Sequence, residues 1–398
     1  MKRILFVDDD NRILDGIRRV LHADRQRWDL QFALGGEAAL RACEAGSFDV
    51  VISDMRMPGM DGATLLGHIR DRFPSTVRII LSGFSESASA TRAVPVAHRF
   101  LSKPCDAAEL HATLERVCTL QDLLCAPDIR KIVGTVGELP SLSTAYISLR
   151  EAVQNPHVSI REVAEILGHD LAMSAKTLQL VNSAFFGLAQ TITSLQSAAG
   201  FLGMETIKNL ALVSEIFRVL VPDPRIPPSV FESLQQQGQI TAAIAAALPI
   251  DSETRDVVVL SALLHDIGRL VLASKMPDQF CAVLSRAKQP ECQPFEAEEE
   301  LLGTSHAEIG AYLLGLWGMP DLAVEAIAHH HRPTRIPHSD FDTTVALYVA
   351  QLLAHELEAH PNDSAGSELH ESDRSCLEAL KVFPQFAALR QLALASIS

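Results

Sequence analysis

Apolar and polar positions divide this chain into two differently patterned parts. Up to about residue 125, short continuous apolar runs alternate with stretches of helical period; beyond it the helical period persists nearly to the end. Ile4-Leu5-Phe6-Val7, the run ending at Asp54, Val77 to Leu81, and Phe100-Leu101 read as the apolar runs of buried strands. Between them Ile13, Ile17, Val20 and Leu21 recur at helical spacing. This alternation predicts an open parallel α/β sheet with flanking helices. The helix opening near Asp106 to Glu109 keeps its rhythm through Leu110, Leu114, Val117, Leu120 and Leu124 until Pro127, and so outlasts the expected end of the first domain.

The remainder reads as all-α. Ser159 with Glu162 and Ser305 with Glu308 are capping boxes. Asp170 can cap a helix carrying Leu171, Leu178 and Val181, Ser194 can start another, and Thr206 opens a stripe of Ile207, Leu210 and Phe217. Pro222, Pro224, Pro227 and Pro228 mark a loop, followed by helices over Ser229 to Leu248 and Val257 to Ala273. Glu368 to Asp373 reads as an acidic loop, with one or two helices closing the chain.

Chemistry concentrates where the strands end. Asp8, Asp9 and Asp10 follow the first run, and Asp54 the second, with Pro58, Gly59 and Gly62 forcing a loop behind it. Ser82 ends the third and Lys103 the fourth. Carboxylates in this density suit Mg²⁺, a hard cation that takes one or two of them together with phosphate oxygens. A lysine and a hydroxyl can hold the remaining phosphoryl oxygens.

Residues 1 to about 120 resemble a response-regulator receiver domain through Val7-Asp8-Asp9, Asp54, Met57-Pro58-Gly59-Met60-Asp61-Gly62, Ser82-Gly83 and Lys103-Pro104, which implies a flavodoxin-like α/β fold with a doubly wound parallel sheet of five strands. The resemblance implies that Asp54 is the phosphoacceptor. It also implies that Asp9, Asp54 and the backbone carbonyl of Arg56 hold Mg²⁺, with Asp8 assisting through water. Ser82 and Lys103 would bind the phosphoryl group, and Phe100 stands at the position of the family's aromatic switch. A sensor histidine kinase is the partner this implies.

Composition narrows the alternatives. At 398 residues the chain is expected to hold two or three domains. Its net charge of −15, without a basic run, argues against a nucleic-acid surface. The scattered, odd-numbered cysteines read as reduced thiols. No signal peptide and no membrane span are expected, which points to the cytoplasm.

Histidines carry the chemistry of the second part. His265-Asp266 lies within an apolar helix, His306 begins a later one, and His329-His330-His331 ends the next. Imidazoles and a carboxylate on neighbouring helices can bind a cation and activate water. Residues from about 132 to 335 resemble the HDOD domain, a relative of the HD phosphohydrolases, through Leu139-Pro140, Asp170, Asn182-Ser183-Ala184-Phe185, Leu202-Gly203, Leu263 to Gly268, His306 to Gly310, Trp317 to Pro320 and His329-His330. Leu171 stands where the family usually has proline. HD enzymes carry a further histidine before the His-Asp pair and an aspartate after it; here Gln237 and Gln351 stand in those places, with Asp340 and Asp342 as nearby carboxylates. A glutamine amide is a poor substitute for either ligand. His265, Asp266, His306, His329 and His330 therefore read as a vestigial site, with no metal expected. Asn182 and Ser183 are, by the resemblance, candidates for a partner-facing surface.

The expected organisation is a receiver over 1–120, a helical linker over 121–135, an HDOD domain over 136–335 and a helical extension over 336–398. The expected function is a two-component response regulator in which phosphorylation of Asp54 switches the contacts of a non-catalytic output domain with a downstream signalling protein. A receiver-controlled, metal-dependent phosphohydrolase is the alternative.

Overall fold

The computed structural model describes residues 1–83, 93, 96–103, 105, 107–124, 127–136, 140–141, 148–149, 152, 155, 158–182, 191–201, 218–219, 223–289, 292–338, 341–359 and 369–397. The expected features at Asp106, Ser183, Phe185, Thr206 to Phe217 and Asp340 lie outside them.

The N-terminal unit runs β1 (Lys2–Asp8), α1 (Asn11–Val20), β2 (Trp28–Leu34), α2 (Gly36–Ala45), β3 (Val50–Asp54), α3 (Gly62–Arg72), β4 (Val77–Gly83), β5 (Arg99–Lys103) and α4 (Ala107–Leu123). The strands are parallel in the order β2-β1-β3-β4-β5, as the doubly wound reading predicts. Ile4 to Val7 on β1 and Val50 to Ile52 on β3 are buried on both faces, which is why those runs do not alternate. The chain leaves β1 toward β2 on one side and β3 on the other, so the carboxyl ends of β1 and β3 meet at the switch point of the sheet. Asp8 and Asp54 end those two strands. Gly62 is required behind them, because a Cβ there would lie 2.2 Å from the Asp54 carbonyl oxygen.

Helix α5 (Pro127–Gly134) follows α4. The rest is helical apart from the two-residue strands β6 (Pro140–Ser141) and β7 (Arg218–Val219). Its helices are α6 (Ile160–Gly168), α7 (Leu171–Val181), α8 (Pro228–Ala247), α9 (Ser252–Leu264), α10 (Ile267–Lys275), α11 (Pro277–Arg286), α12 (Pro294–Leu302), α13 (His306–Leu316), α14 (Asp321–His329), α15 (Thr343–Ala359), α16 (Glu371–Ala379) and α17 (Phe383–Ile397). Both expected capping boxes form, at Ser159 and Ser305.

Two expectations are corrected. The helix read over Val257 to Ala273 breaks at His265 and Asp266. The His265 ring bonds the Ala262 carbonyl at 2.7 Å, and Arg269 N bonds the Asp266 carbonyl at 2.9 Å in a tightened turn. The loop read over Glu368 to Asp373 gives way at Glu371 to α16, which His370 caps by accepting from Ser372 N. The stretch Ser252–Lys275, which α9 and α10 share, passes by length and composition alone as able to cross a membrane, and most of it is buried among other helices.

Candidate functional site

At the switch point the ends of β1, β3 and β5 converge. Lys103 Nζ donates to Asp8 Oδ2 at 2.8 Å and bonds Asp54 Oδ1, so one ammonium bridges two carboxylates. Arg56 N donates to Asp54 Oδ2 at 2.8 Å, which fixes the start of the following loop. Asp8 and Asp54 are buried, whereas Asp9 is exposed at the rim. Burial raises the Asp54 carboxyl above its ordinary pKa, and the charge of Asp8 adds to this, while Lys103 opposes it. Burial would depress the Lys103 ammonium, but Asp54 and Asp8 outweigh it and hold it above its ordinary value. Phe100 is buried on β5, and Ser82 lies on β4 opposite Ser102.

The second cluster is built by a close helix crossing. A Cβ on Gly268 would lie 2.0 Å from the His306 carbonyl oxygen, so only glycine lets α10 meet the start of α13. That approach sets His306 Nε2 3.1 Å from Asp266 Oδ1. The other ring nitrogen lies 2.6 Å from Oε2 of Glu298 on α12, which also accepts from His306 N at 2.6 Å. Carboxylates face both nitrogens, so both carry protons and His306 is an imidazolium. Burial opposes that charge, yet Glu298 and Asp266 raise its pKa to about 9. His331 Nε2 is 2.9 Å from His306 Nε2.

His265 and His330 behave differently. Each Nδ1 faces a backbone carbonyl at 2.7 Å, of Ala262 and Ile327 respectively, and must donate to it. Each Nε2 therefore keeps its lone pair, is buried, and has no hydrogen-bond partner among the described residues. Burial depresses both rings below the ordinary imidazole pKa. One ring nitrogen of each and an Asp266 oxygen lie within 4.8 Å of one another, a separation one cation could span. A cavity of about 870 Å³ opens beside them, lined by Asp266, His306, His330, His331, Gln351 and His355 among others.

Comparison with known proteins assigns both parts. The response regulator receiver domain family matches residues 4–115, and the HDOD domain family matches 139–333. This chain is a response regulator receiver domain joined to an HDOD domain. It is similar to a signal receiver domain of an HD domain-containing protein from Pseudomonas fluorescens Pf-5, at 34% identity over 30% of this chain and 97% of that one, with a TM-score of 0.29. It is also similar to the MmoQ response regulator of Methylococcus capsulatus, at 21% identity over 65% of this chain and 98% of that one, with a TM-score of 0.49. An uncharacterized protein of Treponema pallidum is 24% identical over 208 residues, 52% of this chain and 40% of that protein. The chain spans less than half the length of the curated relatives it matches.

Within the HDOD domain the structure brings His265, Asp266, His306 and His330 together but leaves His329 out. His329 ends α14 among the charges of Glu325, Glu308, Arg335 and His338, and His331 takes the place expected for it. Asp342 is engaged elsewhere, bonding His338 Nδ1 at 2.9 Å and accepting from Thr344 N and Val345 N at the start of α15. Gln237 bonds Glu358, and Gln351 lines the cavity. Asn182 is half-buried and holds the Ile192 backbone through two bonds of 2.7 and 2.8 Å. Sequence reading missed Glu298 altogether. It is fully buried inside the acidic run Glu298-Glu299-Glu300, whereas Leu301 beside it is exposed, so the apolar stripe points the wrong way.

A pH dependence follows for metal-free protein. His306 has a raised folded pKa, so its stabilisation is complete below ~6.5 and is lost as pH rises through about 9. His265 and His330 have depressed values, so their contribution is present above ~6.5 and is lost as pH falls below it. Urea unfolding is expected to show maximal stability near the ordinary imidazole value of ~6.5, with a decline on either side. A midpoint that keeps rising above pH 9.5 would contradict the charge assignment.

Proposed function

We propose that this response regulator is phosphorylated on Asp54 by a sensor histidine kinase, and that its HDOD domain answers by changing protein contacts, not by catalysis. The observation that carries the first half is the Lys103 bridge between Asp8 and Asp54. A strand-end carboxylate held by a backbone amide and faced by an ammonium, with Asp9 exposed at the rim, is poised to accept a phosphoryl group. Asp8, Asp9, Asp54 and the Arg56 carbonyl supply the hard oxygens that Mg²⁺ prefers, and the ion when bound would neutralise charge during transfer. Lys103 and Ser82 would then receive the phosphoryl oxygens, with Phe100 moving behind them. The boundaries that fit this reading are 1–120, 121–135, 136–335 and 336–398.

The second half rests on His306. An imidazolium set between Glu298 and Asp266, with Arg269 Nη1 3.6 Å from Asp266, supplies the positive charge that a catalytic cation would bring. Gln237 and Gln351 occupy the positions of two further ligands. The net charge of −15 argues against a nucleic-acid partner, and the intended partner is a downstream signalling protein.

One observation favours the metallohydrolase alternative, namely the two orphaned Nε2 atoms of His265 and His330. A single preparation separates the readings. Full-length protein incubated with acetyl phosphate and Mg²⁺ is expected to acquire one acid-stable, hydroxylamine-labile phosphoryl group that maps to Asp54. The same protein is expected to carry no stoichiometric transition metal and to leave cyclic dinucleotides intact. Bound metal together with turnover, both lost in His265→Ala, would instead establish the enzyme.

A further inference from the structure

The cavity beside the histidine cluster has hydrogen-bond acceptors at its deep end and unmatched carboxylates at its mouth. Asp266 and the fully buried His330 line the deep end, and His265 lies next to them. One ring nitrogen of each histidine and an Asp266 oxygen lie within 4.8 Å of one another. Both Nδ1 atoms donate to backbone carbonyls, so each ring has left a buried Nε2 lone pair with no hydrogen-bond partner among the described residues. That triad offers an anion no donor. A primary ammonium has the opposite character, with three N–H donors and no acceptor. Three acceptors at ordinary hydrogen-bond length around its nitrogen sit roughly 4.6 Å apart, which this triad can match.

The mouth is built by α15 and α16, which lie beyond residue 333, where the HDOD match ends. Glu358 of α15 is exposed and Asp373 of α16 is half-buried, and both line the cavity. Glu358 accepts from the Gln237 amide and Asp373 from the Tyr348 hydroxyl at 3.0 Å, both neutral donors. Among the described residues neither carboxylate has a cationic partner. The cations of the lining are matched already. Arg332 pairs with Glu299 at 2.8 Å, His306 stands between Asp266 and Glu298, and Arg269 faces the same two carboxylates at 3.6 and 3.9 Å. The uncompensated charge of the cavity is therefore negative. Gln351, His355 and Glu358 share one face of α15 over roughly 10 Å, and Phe295 and Leu352 add apolar surface.

We propose that this cavity is a binding site for an aliphatic diamine. One ammonium donates to Asp266 and to the Nε2 atoms of His265 and His330. The second meets Glu358 and Asp373 at the mouth, and the methylene chain between them lies against Phe295 and Leu352. A transition ion would also satisfy the two imidazoles, but the cluster already holds a cation in His306, and a metal there would leave both carboxylates at the mouth unpaired. The proposal rests on the reading of the HDOD domain as non-catalytic and free of metal.

Full-length protein dialysed against a chelator is titrated by calorimetry with 1,4-diaminobutane, 1,6-diaminohexane and hexylamine. At least one diamine is expected to bind one-to-one with a Kd below about 1 mM, and about tenfold tighter than the monoamine. Glu358→Gln combined with Asp373→Asn keeps an acceptor for Gln237 and for Tyr348 and removes only the charge. This double variant is expected to melt with the parent and to bind the diamine about tenfold more weakly. In the parent chain, nitrogen NMR of labelled histidines is expected to show two lone-pair Nε2 signals shifting as diamine is added, a measurement that stands even if the variant does not fold. Three results would each overturn the proposal and leave the non-catalytic reading intact: no binding of either diamine at about 10 mM, an unchanged affinity in the folded double variant, or histidine signals that stay in place. Stoichiometric transition metal in the protein as purified, together with phosphoester turnover, would remove that reading itself, and the proposal with it.

Discussion

Replacing Asp54 with asparagine is expected to abolish labelling by acetyl phosphate while raising stability by about 1 kcal/mol, an increment typical of relieving an unfavourable functional group. The loss of labelling follows because the amide offers no carboxylate oxygen for an acyl phosphate. The gain follows from the direction of the Asp54 shift. Burial, reinforced by Asp8, raises its pKa, so holding it ionised at neutral pH works against the fold. The sign is checked by pH: a raised carboxyl pKa means the penalty is absent below the ordinary value of ~3.9 and develops as pH rises through the folded one. Lys103 keeps Asp8 as a partner at 2.8 Å after the substitution, so no buried charge is stranded. Mass spectrometry and thermal unfolding of parent and variant at pH 7.5 measure both effects. Full labelling of the variant would reject Asp54 as the acceptor, and a lowered melting temperature would reject the electrostatic account.

The α/β unit was legible because its signals are local and agree with one another. Unbroken apolar runs require strands buried on both faces, and in a parallel sheet the residues that end them must gather along one edge. Asp8, Asp54 and Lys103 thus meet although they are up to 95 positions apart. The capping boxes at Ser159 and Ser305 were legible for the same reason, since each motif lies within one turn.

What was not legible depends on packing between helices. The choice of His330 and His331 over His329 is made by where α14 ends relative to α13, and three adjacent histidines give no sign of it. Gly268 and Gly310 read as helix residues, yet their mutual approach is what sets His306 against Asp266. Nothing in the sequence marks Arg78, within the run Val77 to Leu81, as a buried guanidinium bonded to the Gly134 carbonyl of the linker. The rhythm of α4 past Leu114 hinted at a second contact, and Leu120 supplies it by packing at Gly315 of the HDOD domain.

Glu298→Ala is expected to be the most destabilising single substitution in the histidine cluster, at about 3–5 kcal/mol, the range for removing one partner of a buried ion pair. Glu298 has no exposed surface and meets both the ring and the backbone N–H of His306, each at 2.6 Å. Its loss strands a buried imidazolium and an amide at the first turn of α13, which water cannot readily reach. Glu299 and Glu300 provide the internal control. They pair with Arg332 and Arg286 across partly exposed surfaces, so their alanine variants are expected to lose no more than about 1 kcal/mol. Raising the pH through about 9 discharges His306 in the parent, so the gap between parent and Glu298→Ala should narrow there, whereas the Glu299→Ala and Glu300→Ala gaps should hold. Urea unfolding of the four proteins at pH 7 and pH 10 decides the matter. Equal losses across the three glutamates, or a gap that is independent of pH, would mean that His306 is neutral and that the cluster lacks the internal cation on which the non-catalytic reading of the HDOD domain depends.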